Sequence, residues 1–368
     1  MPEQTIELSE IIKRRITSEG PVSFHDFMEM ALYYPGLGYY NRPDDQIGQT
    51  GDFYTSSSLS SIFGALIGKQ LEEMWHLTGK GEFTIVEYGA GTGLLCRDIL
   101  GYLKNNPALY DQLHYAIIEK SASMRERQKK HLMEKVSWHN SVQELDPVTG
   151  CILSNELIDN FAVHQVVMEE NLMEVFVDVQ DGFVEVLRPA DQKLKDYLAE
   201  FNISLPKGFR TEINLEARDW LTGAAATLRK GFILTIDYGY SAENYYHKNR
   251  SKGTLLCYHQ HRVNDQPYQH IGQQDITCHV NFSALCRWGH QNGLSCCGLA
   301  SQAQFLLSLG FHNQLKKSCT AEEDVLQLAM AQARLTHTLL VDMGTKFKVL
   351  IQQKGFPERP VLSGVNLA

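Results

Sequence analysis

The segment Val86-Glu87-Tyr88-Gly89-Ala90-Gly91-Thr92-Gly93 holds residues whose types and spacing can do chemistry. Glycines at 89, 91 and 93 allow positive φ and let backbone approach a ligand closely. A helix over 94–103 (LLCRDILGYL) would aim its unpaired N–H groups, and the positive end of its dipole, at an anionic group in the loop. A dinucleotide fingerprint would require glycine at position 94, where the chain has Leu94. A Walker loop would require Gly-Lys-Ser/Thr after four spacer residues, and none is present. What remains is E-x-G-x-G-x-G, with an acid, Glu87, at the end of a strand. Such an acid suits a ligand carrying positive charge. S-adenosyl-L-methionine, with an ammonium, a sulfonium and a carboxylate, is a ligand of this kind. The plain alternative is a tight structural turn.

Two further acidic sites fall at predicted strand ends. Ile117-Ile118-Glu119 closes the second strand, where an acid in a doubly wound sheet can accept both ribose hydroxyls. Its alternative is a solvated charge leading the next helix. Ser154-Asn155-Glu156-Leu157-Ile158-Asp159 closes the fourth. A helical turn starting there would set Glu156 and Asp159 on one side. Paired carboxylates can grip a planar guanidinium; equally, acids are favoured at any helix start. Cys257-x-His259-x-His261 matches no common zinc spacing, and Cys278-His279 adds no second pair, so no metal site is expected. His259 and His261 remain substrate-contact candidates. No G-x-S-x-G elbow is present, which argues against an α/β-hydrolase. Tyr33, Tyr34, Tyr39 and Tyr40 could stack on a ligand or anchor their loop to its scaffold.

The elements that must position these residues follow from periodicity. Short β-branched strands are predicted at 83–88, 115–118, 136–138 and 150–154, with helices at 94–103 and 121–132 between them. This alternation implies a parallel sheet with helices on both faces. Upstream, helices are expected over 5–17, over 24–32 with Ser23 as N-cap, and over 60–77, with loops at 33–40 and 41–58. After residue 160, VHQVVMEE, MEVFVDV and FVEVLRP read as an inserted antiparallel meander turning at Asn171 and Asp181-Gly182. A helical stretch over 211–229 precedes a strand at 232–236 that ends in Asp237-Tyr238-Gly239. Residues 240–280 show little periodicity and read as a long functional loop. A strand near 294–299, helices near 302–309 and 321–341, and a last strand over 347–351 complete the chain.

With 368 residues, the chain holds one large domain with additions, or two. Hydrophobic residues at 43% and charged residues at 21% fit a globular protein with a sizeable core. A net charge of −9 disfavours non-specific nucleic-acid binding, and no apolar run is long enough to span a bilayer. The first twenty residues lack an apolar h-region and carry four glutamates, so neither a secretory nor a transit peptide is expected and the location is read as cytoplasmic. The eight cysteines include no C-x-x-C pair and read as reduced thiols.

At these residues the chain resembles the MidA-like class I S-adenosyl-L-methionine-dependent methyltransferases, whose mitochondrial members are complex I assembly factors and protein arginine methyltransferases. The likeness covers nearly the whole chain. It is carried by F-x-x-F-M-x-x-x-L-Y-x-P-x-x-G-Y-Y (Phe24 to Tyr40), Gly51-Asp52-Phe53-Tyr54-Thr55-Ser56, the glycine motif, Ile118-Glu119, Asn155-Glu156-Leu157-Ile158-Asp159 and Asp237-Tyr238-Gly239. Gly253-Thr254, Cys257-Tyr258 with His261, Asp275-Ile276-Thr277 and Phe282 continue it. One departure stands out: after Asp159 the family usually reads Ala-Leu-Pro-Val, and this chain has Asn160-Phe161-Ala162-Val163. The missing proline bears on the substrate side.

The resemblance implies a seven-stranded Rossmann-like α/β sheet, mostly parallel, with an antiparallel last strand and an N-terminal helical region. On this reading residues 1–80 form the helical region and a cofactor-covering loop. Residues 81–368 form the methyltransferase domain, with insertions at about 160–230 and 240–285. S-adenosyl-L-methionine is the implied cofactor, held by Gly51, Asp52, Thr55, Glu87, Gly89, Gly91, Gly93, Glu119 and Asn155. Glu156 and Asp159 are the implied catalytic pair, acting on arginine of a protein substrate, with a respiratory-complex subunit as the partner class. Two other functions stay open: a cofactor-binding assembly or scaffold protein without turnover, and a small-molecule methyltransferase.

Overall fold

The computed structural model describes residues 7–42, 60–132, 134–317 and 325–366. They divide into two units. One takes the described parts of Tyr54–Leu157, Trp220–Gly239 and Leu285–Ala368, the other those of Met1–Phe53, Ile158–Asp219 and Tyr240–Ala284.

The first unit is built on seven strands: β1 (Phe83–Tyr88), β2 (Leu113–Ile118), β3 (Val136–His139), β4 (Val148–Asn155), β5 (Leu228–Tyr240), β6 (Ser295–Ser301) and β7 (Phe347–Lys354). Their spatial order is β6-β7-β5-β4-β1-β2-β3. β1 pairs in parallel with β2 and β4, β2 with β3, and β4 with β5. β7 runs antiparallel to β5 and to β6. This is the Rossmann-like sheet with an antiparallel last strand that the resemblance implies. The order reverses beside β1, with β2 on one side and β4 on the other, so the crevice for a ligand lies at the carboxyl ends of these three strands.

The sequence reasons for these elements are local and strong. Phe83, Ile85 and Val86 are buried, giving β1 the near-continuous apolar run of a strand covered on both faces. Helix α1 (Ser61–Thr78) starts where the Ser60 hydroxyl accepts from the Ile62 N–H and stops at left-handed Gly79. Helix α2 (Leu94–Leu103) follows the glycine loop. Gly64 and Gly68 face α2: a Cβ on Gly64 would lie 2.5 Å from the Asp98 Cβ, and one on Gly68 2.9 Å from the Tyr102 ring. Two glycines four residues apart thus let the helices approach and bury Phe63, Ile67 and Leu71 with Ile99 and Leu103. Helix α3 (Ala122–Lys129), capped by Ser121, joins β2 to β3.

The second unit packs helices Leu8–Glu19 and Phe24–Tyr33 with an antiparallel sheet. Ser23 caps the second of these helices by accepting from the Asp26 N–H. Strand Leu172–Val179 pairs with His164–Met168 and Phe183–Pro189, which is the expected meander, and also with the unforeseen short strand Val22–Ser23. Ile12, Phe24, Phe27, Met28, Val175 and Val177 form its core. Each such side chain contributes about 1.5–3 kcal/mol on burial.

Two expectations differ from the structure here. The predicted helix over 211–229 is a strand, Arg210–Ile213, paired with His164–Val167, followed by a helix, Glu216–Thr227. Residues 240–280 are not an irregular loop. They contain the three-stranded sheet of Leu256–His259, Arg262–Asn264 and Asp275–Thr277, with Cys257 and Ile276 opposite each other and buried.

Candidate active site

The glycine loop leaves β1 with Gly89, Gly91 and Gly93 at φ 62°, 52° and 83°. At Gly89 a Cβ would also lie 2.8 Å from the Leu157 Cδ1, so glycine is required there on two counts. The Gly89 N–H donates to the Ile118 carbonyl at 3.1 Å, locking the loop onto the end of β2. Gly93 is the residue from which α2 starts, and its carbonyl accepts from the Arg97 N–H at 3.0 Å.

Glu87 and Glu119 flank this loop differently. The Glu87 side chain is turned into the core at 2% exposure, and its Oε2 accepts from the Tyr115 Oη at 2.8 Å. Burial raises its pKa to about 7, against the lowering effect of the Tyr115 hydrogen bond. It stands at the end of β1 as a buried acid, one residue before Tyr88 and two before the first glycine. Glu119 is half-buried one residue past β2. Its Oε1 accepts from the Ser121 N–H at 2.8 Å and its Oε2 from the Gln128 Nε2 at 3.3 Å, while burial raises its pKa. Gln128 also donates to the Gly91 carbonyl at 2.9 Å. Sequence reading passed over Gln128, because a glutamine on a short polar helix gives no periodic signal of burial.

At the end of β4 the Asn155 Nδ2 donates to the Glu156 Oε1 at 3.3 Å. Among the described residues the buried Asn155 Oδ1 accepts no hydrogen bond. Glu156 is in left-handed conformation, at φ 52°, and its N–H donates to the Ile236 carbonyl at 2.9 Å. The expected helical turn therefore does not begin at Glu156; a 3-10 turn begins at Ile158. Asn155 and Glu156 belong to one unit and Asp159 to the other. Asp159 is buried, and its carbonyl accepts from the Cys278 N–H at 2.8 Å. Gly51, Asp52 and Thr55 lie outside the described residues.

Asn160, the first residue of the family departure, has a structural reason of its own. The Tyr33 Oη donates to its Oδ1 at 2.7 Å, and its Nδ2 donates to the Tyr40 Oη at 3.3 Å. The Tyr40 Oη in turn donates to the Asp275 Oδ1 at 2.9 Å. The Tyr33 and Tyr40 rings stack at 5.5 Å. These two tyrosines are thus tied into their own unit, the anchoring alternative of the two open for the cluster. The ring of His259 stacks on that of His270 at 4.1 Å, with its Nδ1 2.9 Å from the Gln273 carbonyl. Among the described residues no group of three His, Cys, Asp or Glu could hold a metal ion. No helix among them is long and apolar enough to cross a membrane.

The donor and acceptor set fits a cofactor with cationic and hydroxyl groups. Three left-handed glycines turn the backbone tightly at the end of β1, the Glu119 carboxylate stands at the end of β2, and the buried Asn155 Oδ1 is an acceptor in want of a donor. Residues 66–300 match a family model described as "Putative S-adenosyl-L-methionine-dependent methyltransferase". A crystal structure from Burkholderia thailandensis, bound to S-adenosyl-homocysteine, is 30% identical with a TM-score of 0.89, covering 98% of this chain and 95% of that one. The mitochondrial protein arginine methyltransferase NDUFAF7 homolog of Drosophila melanogaster is 27% identical over 95% of this chain and 85% of its own. The mitochondrial protein arginine methyltransferase NDUFAF7 of Xenopus tropicalis is 26% identical over 91% and 83%. These named relatives are mitochondrial, which overturns the expectation of a cytoplasmic location. The family model spans more than half of the chain and the Burkholderia structure superposes on nearly all of it, so the chain belongs to this family of S-adenosyl-L-methionine-dependent methyltransferases, with S-adenosyl-L-methionine as cofactor.

Proposed function

We propose that the chain transfers the methyl group of S-adenosyl-L-methionine to arginine on a protein substrate. The names of the curated relatives support the arginine reading. The observation that carries it is the left-handed backbone of Glu156 at the carboxyl end of β4. A non-glycine residue held in that region costs about 1–3 kcal/mol, and such residues cluster at functional sites. An acid held so beside Asn155, with a second acid three residues on, suits a planar cation. A respiratory-complex subunit is the substrate class that the family resemblance adds.

The cofactor supplies a methyl group on a positively charged sulfur. What this chain must do is bind and align. Gly89, Gly91 and Gly93 let backbone close on the cofactor, and Glu119 accepts from its ribose hydroxyls. Asn155 offers its Oδ1 to the ammonium, with the Glu87 charge behind the loop. Gly51, Asp52 and Thr55 complete the proposed cofactor set. Glu156 holds the guanidinium, aims its nitrogen for in-line displacement of S-adenosyl-homocysteine and accepts the proton that the nitrogen sheds; Asp159 is the second acid proposed for catalysis. Alignment of two reactants is worth several kcal/mol of the barrier.

The test is a lysate incubated with methyl-labelled S-adenosyl-L-methionine and the purified protein, followed by mass spectrometry of the labelled species. Label on protein arginine is expected. Glu156→Gln should cut transfer about 10- to 150-fold, the loss of a charge-assisted contact, with little change in cofactor affinity. Label on lysine or on a small molecule would overturn the reading, as would full transfer by Glu156→Gln.

A further inference from the structure

The glycine loop and Glu119 share one partner that the family match does not assign. Gln128 is fully buried on α3, and each end of its amide is engaged. Its Oε1 accepts from the Trp138 indole N–H at 2.8 Å. An indole N–H can only donate, so it fixes which end of the amide is oxygen. The Nε2 is thereby turned to the other side, where it donates to the Gly91 carbonyl at 2.9 Å and to the Glu119 Oε2 at 3.3 Å. The stem of the same side chain packs on the loop: a Cβ at Gly93 would lie 3.4 Å from the Gln128 Cγ. One residue thus touches two of the three glycines and the acid at the end of β2. A buried amide is costly unless its hydrogen bonds are met, and here they are met by the loop, by Glu119 and by β3.

We infer that Gln128 is a positioning residue of the cofactor site, holding the Gly91 carbonyl and the Glu119 carboxylate in their binding geometry while Trp138 holds Gln128. The inference rests on the proposed roles of the glycine loop and Glu119. Gln128 acts through them, and its effect is on cofactor affinity. Two neighbours fix the local electrostatics. The Arg125 Nε donates to the Glu119 carbonyl at 2.7 Å, and the Ser121 N–H holds the other Glu119 oxygen, so neither supplies what Gln128 supplies to Oε2.

The experiment measures S-adenosyl-homocysteine affinity by calorimetry for the full chain and for Gln128→Met, Trp138→Phe, Glu119→Gln and the Gln128→Met/Glu119→Gln double variant. Gln128→Met keeps the length of the side chain and removes the amide; about a 10-fold loss of affinity is expected. On the Glu119→Gln background the same change should cost about 3-fold or less, because part of its effect is already gone. A residue that only fills the core would lower stability and give losses that multiply in full. Full multiplication overturns the inference, as does wild-type affinity in Gln128→Met when Glu119→Gln binds weakly. If Gln128→Met does not fold, Trp138→Phe decides: it frees the amide to rotate and should weaken binding about 3-fold, and unchanged affinity overturns the inference. Wild-type affinity in Glu119→Gln is a separate failure, that of the Glu119 assignment itself.

Discussion

A carboxyl group buried behind a glycine loop and hydrogen-bonded to a tyrosine titrates near neutrality, and for Glu87 this has a consequence for binding. Burial favours the neutral form and raises the pKa from the ordinary carboxylate range to about 7. A cofactor ammonium bound near Glu87 would favour the ionised form and pull that pKa down. Binding should then release protons between about pH 5 and 7. Affinity should rise with pH over that window and level off above it. Glu87→Gln keeps the acceptor for Tyr115 but cannot ionise, so the slope should vanish. Calorimetry at pH 6.5 in two buffers of different ionisation enthalpy measures the released protons directly. Equal binding heats in both buffers would show that Glu87 does not sense the cofactor. Without ligand the sign reverses. The raised pKa costs the folded state stability as pH climbs from about 4.5 to 7, so Glu87→Gln should be the more stable protein at pH 8, by up to about 3 kcal/mol.

At the scale of elements, the proposed cofactor site is carried by β1, the loop and α2 together. Gly91→Val tests it: the backbone there is at φ 52°, which a β-branched residue adopts only under strain. The variant should lose about 1–3 kcal/mol of stability yet fold, and should lose measurable S-adenosyl-homocysteine binding. Normal binding by a folded Gly91→Val would remove the loop from the site. This element was readable in the sequence because its signals are local: a β-branched run, glycines at alternate positions, then helical spacing. Ser23 and Ser60 were readable as caps for the same reason. Arg210–Ile213 was not, since four residues carry no period and its partner strand lies more than forty residues upstream. The sheet within 240–280 escaped because its strands are three or four residues long and are defined by pairing with one another. The acids at 156 and 159 were legible as residue types, but the backbone between them was not. Helical spacing was assumed from residue 156, whereas Glu156 takes a left-handed bend. Gln128 was missed, and the bonds of Asn160 were not foreseen, because a buried polar residue is identified by its partners, and those lie elsewhere in the chain.

For the molecule as a whole, overall acidity and one histidine cluster add to the pH response that Glu87 carries. The formal net charge of −9 grows more negative as pH rises, and the added repulsion weakens any compact state. Against that background stands His25, in the unit that contains the N-terminal helices. Its Nδ1 lies 3.1 Å from the Asp26 Oδ1 and its Nε2 2.9 Å from the Glu216 Oε1. Its ring stacks on His164 at 4.7 Å, and the His164 Nδ1 lies 2.6 Å from the Glu174 Oε1. The Asp26 and Glu216 hydrogen bonds raise the His25 pKa to about 9, outweighing burial. A histidine is unperturbed near 6.5, so the folded state holds this proton where the unfolded chain has lost it. The stabilisation is complete below about pH 6.5, falls by up to about 1.4 kcal/mol per pH unit above it, and is gone past about pH 9. Exposure of Asp26 and Glu216 to solvent reduces that slope. His25→Gln removes the charge and leaves the global repulsion untouched, so the difference between the two proteins isolates the cluster. Thermal unfolding from pH 6 to pH 10 should find the wild type more stable at pH 7, with the gap closing as pH approaches 10. A gap that stays constant across the range would mean that His25 contributes by packing and not by its proton.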